Sequence, residues 1–246
     1  MDSDETIEAA LRVVDTTREN GGEARLIGGI AVAVRCPSAR SGGPLVRTYS
    51  DMDLVTTLRD SSALARSLKD LGYIPAEQFN ALHGRTRMMF DAPEGLHADV
   101  FVDEFAMCHR LEFKGRFAKG ATTLSLAELL LTKLQVAELN HKDVSDAAAL
   151  FLDHQIGAGE EEIDGGFVTN VLCNDWGWWR TVSENLQAIP EHLQSLPLSE
   201  SEAGRVATQA SDLMELIDRT PKSLRWRMRA KVGDRAVWRE DPEESH

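Results

Sequence analysis

The feature that most restricts what this chain can fold into is the run Leu26-Ile27-Gly28-Gly29-Ile30-Ala31. The apolar residues up to Ile27 read as a short buried strand, and Ile30 to Val34 reads as a helix or helical turn, so two glycines stand at a strand-to-helix junction. Such a junction leaves backbone bare, and a phosphate can approach it without meeting a side chain. Downstream, Tyr49-Ser50-Asp51-Met52-Asp53-Leu54 sets two carboxylates two residues apart at the start of a strand through Thr56. Residues i and i+2 of a strand face the same side, so Asp51 and Asp53 form a pair of hard oxygen donors suited to a divalent cation. Neither pattern is specific alone: Asp2-Ser3-Asp4 is also an Asp-x-Asp, and paired glycines recur at 21–22, 42–43 and 165–166.

Order and context add weight. Ile7, Ala10, Leu11 and Val14 mark an amphipathic helix over residues 4–19, with Gly21-Gly22 just past its end. After the junction, Pro37 to Pro44 has loop composition and is expected to be mobile. A helix follows over 61–71, ending at Gly72, and then three strands over 85–90, 96–102 and 111–117. From Ser125 the hydrophobic period changes: Leu126, Leu129, Leu130, Leu134 and Ala137 mark a strong helix, with others over 144–152, 166–174, 178–188 and 200–217. The expected fold class is α+β, a mixed-sheet core over residues 1–120 followed by a helical domain over 121–246. Residues 157–162 read as a solvated connector, and the tail after Pro242 as disordered.

With 246 residues and 42% hydrophobic content the chain can bury a proper core. No stretch approaches the roughly 18 uninterrupted apolar residues of a membrane span, and the N-terminus is acidic where a signal peptide is basic. The expectation is a cytoplasmic protein without a membrane partner. Cys36, Cys108 and Cys173 are scattered, without metal or disulfide spacing, and read as buried thiols. The net charge of −13 argues against a surface given over to non-specific nucleic-acid binding. Yet eight basic residues against one acidic residue lie between Arg219 and Arg239. That local face can guide a polyanion or pack on the acidic body.

A third carboxylate completes the proposed site. Asp99 sits in His97-Ala98-Asp99-Val100-Phe101, an apolar strand in which an unpaired carboxylate is costly to bury. In a mixed sheet this strand can lie beside the Asp51-x-Asp53 strand. Three acids suit two-metal phosphoryl transfer, with one ion lowering the pKa of an attacking hydroxyl and the other stabilising a leaving pyrophosphate. Arg85 and Arg87 alternate on a strand near the site; they read either as a phosphate clamp or as solubilising charges on an edge strand. His83 and His109 lack ligand partners and read as exposed or capping. Trp176, Trp178 and Trp179 read as base-stacking residues or as filling of a domain seam. Arg225-Trp226-Arg227-Met228-Arg229 alternates in the manner of a basic edge strand.

Ile27-Gly28-Gly29, Asp51-Met52-Asp53-Leu54-Val55 and Ala98-Asp99-Val100 together resemble the nucleotidyltransferase superfamily with the DNA polymerase β-like fold, over roughly residues 24–120. The resemblance implies that Gly28 and Gly29 meet the phosphates of an NTP and that Asp51, Asp53 and Asp99 hold two Mg²⁺ ions. The Gly29–Asp51 loop is longer than that family usually has. Leu129-Leu130-Leu131-Thr132-Lys133-Leu134, with Lys142-Asp143-Val144-Ser145-Asp146, is similar to AbiEii-type nucleotidyltransferases, which include toxins of bacterial toxin–antitoxin pairs. That likeness implies a triphosphate contact for Lys133 and a base or hydroxyl contact for Asp143 or Asp146; the plain alternative for Lys133 is a solvated helix lysine. The implied acceptor is a small, often cationic molecule or a tRNA-like RNA, with the active site in the cleft between the two halves. The rival expectation is a non-catalytic nucleotide-binding or protein-interaction module, with a cognate antitoxin as partner.

Overall fold

The computed structural model describes residues 2–92, 95–113, 115–117 and 120–240. The chain is α+β and divides into two compact units. One holds the residues up to Phe105 together with Arg110–Leu124; the other holds Ala106–His109 and the chain from Ser125 onward. The expected tail after Pro242 lies outside the described residues.

The first unit begins with α1 (Ser3–Glu19), started by a capping box in which Asp2 accepts from the Glu5 amide and Glu5 accepts from the Asp2 amide. Next come β1 (Ala24–Ile27), α2 (Gly28–Arg35), β2 (Asp51–Thr56), α3 (Ser61–Asp70), β3 (Ile74–Pro75) and α4 (Glu77–His83). The unit is completed by β4 (Arg87–Asp91), β5 (His97–Val102) and a small pair, β6 (Glu104–Ala106, its last residue already in the other unit) with β7 (Arg110–Glu112). Five strands form one mixed sheet in the order β1-β2-β5-β4-β3, in which only β2 and β5 run parallel.

Strand alternation gives this sheet two unlike faces. Met52, Leu54, Ala98, Val100, Val102, Met88 and Phe90 point one way and are buried, as are Ala10, Val13 and Val14 of α1 and Leu64 and Leu68 of α3. Each fully buried aliphatic side chain contributes about 1.5–3 kcal/mol, and a one-residue slip of β2 would expose its whole set. Asp51, Asp53, Asp99 and Arg87 stand on the opposite face. Register, fixed by hydrophobic burial, therefore fixes where the charges go.

Two readings of the first unit need correction. The 37–44 segment is not a free loop: Pro37–Ala39 is a turn of 3₁₀ helix, Ser38, Ala39 and Leu45 are buried, and Ser38 O accepts from the Leu45 amide at 2.8 Å. Arg40 ties it down by donating to Ala33 O at 2.7 Å and Val34 O at 2.9 Å, satisfying carbonyls at the end of α2. Among the described residues, the strand expected over 111–117 is reduced to the short β7.

The second unit contains α5 (Leu126–Leu134), α6 (His141–Asp153), the two-residue strands β8 (Ile156–Gly157) and β9 (Ile163–Asp164), α7 (Gly165–Asn174), α8 (Trp176–His192), α9 (Glu200–Arg219) and α10 (Leu224–Val232). Ser125 with Glu128 and Ser199 with Glu202 form capping boxes. The expected basic edge strand at 225–229 is instead the middle of α10. Ser223 caps it by accepting from the Trp226 amide, and Leu, Arg, Met, Ala and Lys are all strong helix formers. Leu224, Met228 and Val232, spaced by four, are exposed along it. Among the described residues no helix is long and apolar enough to cross a membrane.

Candidate functional site

The glycine junction is the tightest point of the first unit. Gly28 has φ +67°, a conformation that costs an L-residue about 1–2 kcal/mol. A Cβ at Gly28 would also fall on Asp53 Oδ2, and a Cβ at Gly29 on the guanidinium of Arg47. Gly28 is required by its positive φ together with the carboxylate on β2, whereas Gly29 packs against the movable end of an arginine from the segment leading into β2. Ile27 and Asp53 are register partners in the β1–β2 ladder, which explains how the carboxylate reaches the start of α2. No side chain caps that helix.

Arg47 and Tyr49 join this junction beyond what the sequence motifs indicate. The guanidinium lies 4.5 Å from the centre of the Tyr49 ring, a cation–π contact that aims it over Gly29. The signal was present: Arg47, Tyr49, Asp51 and Asp53 share a period of two, so an extended run sends all four to one side.

The parallel β2–β5 ladder pairs Asp51 with His97 and Asp53 with Asp99. Adjacent strands lie about 4.8 Å apart, so Asp53 and Asp99 are immediate neighbours on the same face, with Asp51 one step along. Asp51 is exposed and accepts from Ser50 Oγ at 2.7 Å. Asp99 is engaged by Arg87, whose Nε donates to Oδ1 at 2.8 Å and whose Nη2 donates to Oδ2 at 2.5 Å. Arg87 sits one strand over on β4, diagonal to Asp99, and lies above the rings of Phe101 (5.3 Å) and Phe79 (6.0 Å). Arg85 does not share this face. It lies in the exposed turn between α4 and β4, so the expected Arg85–Arg87 alternation on one strand does not occur.

The donor chemistry of this row fits a hard divalent cation: carboxylate oxygens from two adjacent strands, presented on the polar face of a sheet. Among the described residues, however, no three His, Cys, Asp or Glu side chains are gathered closely enough to hold an ion. Both Asp99 oxygens accept from Arg87, so a cation that binds Asp99 competes with that fork.

The second unit holds its own charged group. Lys133 of α5 lies 2.8 Å from Asp146 and 3.6 Å from Asp143 on α6, and all three side chains are at most 12% exposed. Lys133 is therefore not a solvated lysine; it joins two helices. Burial pushes the Asp143 carboxyl above the usual range, against the pull of Lys133. His109 corrects another reading. It is buried, stacked on Trp178 at 4.9 Å, with Nε2 2.9 Å from Thr181 Oγ1 and its amide donating to Gln135 Oε1 at 3.1 Å. Burial lowers its imidazole pKa to about 4. His83 is exposed, against the ring of Phe79. Four of the five tryptophans form one cluster inside this unit: Trp176 meets Trp179 and Trp238, and Trp179 meets Trp226. Arg229 stacks on Trp176 at 4.6 Å and donates to Gly233 O and Ala236 O, pinning the segment after α10.

No protein-family model matches the chain, and no curated protein matches it significantly.

Proposed function

We propose that the first unit performs metal-dependent nucleotidyl transfer, moving a nucleoside monophosphate from an NTP to an acceptor hydroxyl with release of pyrophosphate, on a polymerase β-like fold. The observation that carries the reading is the row of acids: Asp53 in register with Asp99, Asp51 beside them, all on one face of the sheet and next to the glycine start of α2, which Asp53 and Arg47 cover. Two Mg²⁺ ions, once bound to these oxygens, supply Lewis acidity at the transferred phosphate and charge neutralisation on the leaving pyrophosphate.

The chain's own residues do the rest. Gly28 and Gly29, buried under Asp53 Oδ2 and the Arg47 guanidinium, set the N-terminal end of α2, where the helix dipole favours negative charge, beside the acid row, and phosphate oxygens approach that end where Arg47 stands. Arg47, held over Gly29 by Tyr49, adds a cation at the same point. By the polymerase β-like resemblance, Asp99 is the acid that takes the proton from the acceptor hydroxyl. The basic run from Arg219 to Arg239 favours a polyanionic acceptor such as tRNA-like RNA over a small cationic one. The test is incubation with α-labelled NTPs and Mg²⁺ in the presence of total RNA or of an aminocyclitol panel. Label entering RNA is expected. Label entering the small molecules reassigns the acceptor, and label entering neither pool favours a non-catalytic module working with a protein partner such as an antitoxin.

A further inference from the structure

We propose that Arg87 is the counter-ion that Asp99 surrenders when a divalent cation binds, so that Arg87 sets the cation affinity of the acid row. The inference rests on reading Asp51, Asp53 and Asp99 as cation ligands. It starts from geometry: the fork on Asp99 engages both carboxylate oxygens, at 2.8 and 2.5 Å. A bidentate guanidinium–carboxylate pair is among the stronger polar contacts in proteins. It does useful electrostatic duty here, because Asp53 and Asp99 are register neighbours on strands about 4.8 Å apart, and like charges side by side repel unless a cation stands by them.

Arg87 is also built to leave. Its side chain is 31% exposed, twice the 16% of Asp99, so the head group can swing into solvent while Asp99 stays in the sheet. Phe101 and Phe79 give the guanidinium flat surfaces to rest on along the way. A divalent cation arriving between Asp53 and Asp99 competes for the oxygens that Arg87 holds, and one positive charge replaces another beside the same pair of acids.

The experiment titrates nucleotide-free protein with Mg²⁺ by calorimetry, while NMR follows the Arg87 Nε–H signal. In the wild type, Mg²⁺ is expected to shift that signal as the fork opens. Arg87→Met, which keeps an apolar stem against Phe101, is expected to bind Mg²⁺ about tenfold more tightly or better, since a hydrogen-bonded charge no longer has to be displaced. Arg87→Lys, with a charge and no fork, is expected to fall between. Arg87→Gln keeps a neutral hydrogen-bond donor and serves as a second variant, with circular dichroism verifying folding of each. Equal or weaker Mg²⁺ binding by folded Arg87→Met and Arg87→Gln overturns the proposal, as does an Arg87 signal unmoved by saturating Mg²⁺, or no Mg²⁺ binding by any form. Because the readout is ion binding without nucleotide, it separates from catalysis: tighter binding without transferase activity leaves the exchange standing and removes the transferase, and the opposite pattern does the reverse.

Discussion

Replacing Gly28 with alanine should reveal how tightly the glycine junction and the acid row are joined. Two costs add. The positive φ of +67° strains any L-residue by about 1–2 kcal/mol, and the new Cβ falls on Asp53 Oδ2, a steric conflict of the kind that costs about 1–3 kcal/mol when packed atoms must shift. Stiffening of the unfolded chain returns about 0.4–1 kcal/mol. The net loss should be about 1–5 kcal/mol. The two costs separate in a double-mutant cycle. With Asp53→Ala the carboxylate is gone, so Gly28→Ala retains its backbone strain and sheds most of its steric part, and the single losses should exceed additivity by about 1–3 kcal/mol. Urea unfolding followed by far-UV circular dichroism measures all four proteins. Tryptophan fluorescence gives an internal reference, because all five tryptophans lie in the second unit. An equal cost of Gly28→Ala with and without the Asp53 carboxylate would refute the argument that this glycine exists to admit that side chain.

Other outcomes follow from the second unit and from pH. The unfolded chain takes up a proton on His109 near the ordinary 6.5, whereas the folded protein waits until about 4, so stability is full above pH 6.5 and falls by about 3 kcal/mol as pH drops through that window. His109→Gln should flatten this slope, and an unchanged slope in that variant refutes the assignment. Lys133→Met leaves Asp143 and Asp146 buried together and should cost about 3–5 kcal/mol at neutral pH. Asp143 already titrates above its usual range, so that loss should shrink on acidification, and a pH-independent loss would contradict the electrostatic account. Arg229→Met should free the segment from Gly233 to Trp238, costing about 1–3 kcal/mol and shifting tryptophan emission to the red; an unchanged spectrum would mean that the arginine pins nothing.

Much of the sheet could be read from the sequence because its strands alternate. Apolar Met52, Leu54, Val100 and Val102 fix one face, and with it the common side of Asp51, Asp53 and Asp99. What stayed hidden was long-range partnership. Nothing in the local pattern says that Arg87 spends its fork on Asp99, that Lys133 turns inward to acids on the next helix, or that His109 is buried against Trp178. Each contact depends on which strands and helices become neighbours. The segment 37–44 departs from its loop-like composition for a related reason: its proline and glycine content signals turns, but the burial of Ser38, Ala39 and Leu45 and the hold of Arg40 on the end of α2 are tertiary facts. Arg225 to Arg229 alternates in a way that suits a strand, and the Ser223 cap with the four-residue spacing of Leu224, Met228 and Val232 was the competing signal that won.

The central claim is that one row of acids beside a glycine junction handles an NTP. Its most direct test is Mg²⁺-dependent pyrophosphate release from each of the four NTPs by the wild type and by the Asp51→Ala, Asp53→Ala double variant, with folding verified by circular dichroism. The account predicts release by the wild type with at least one NTP and its loss in the folded double variant. Equal release by the two proteins would contradict it.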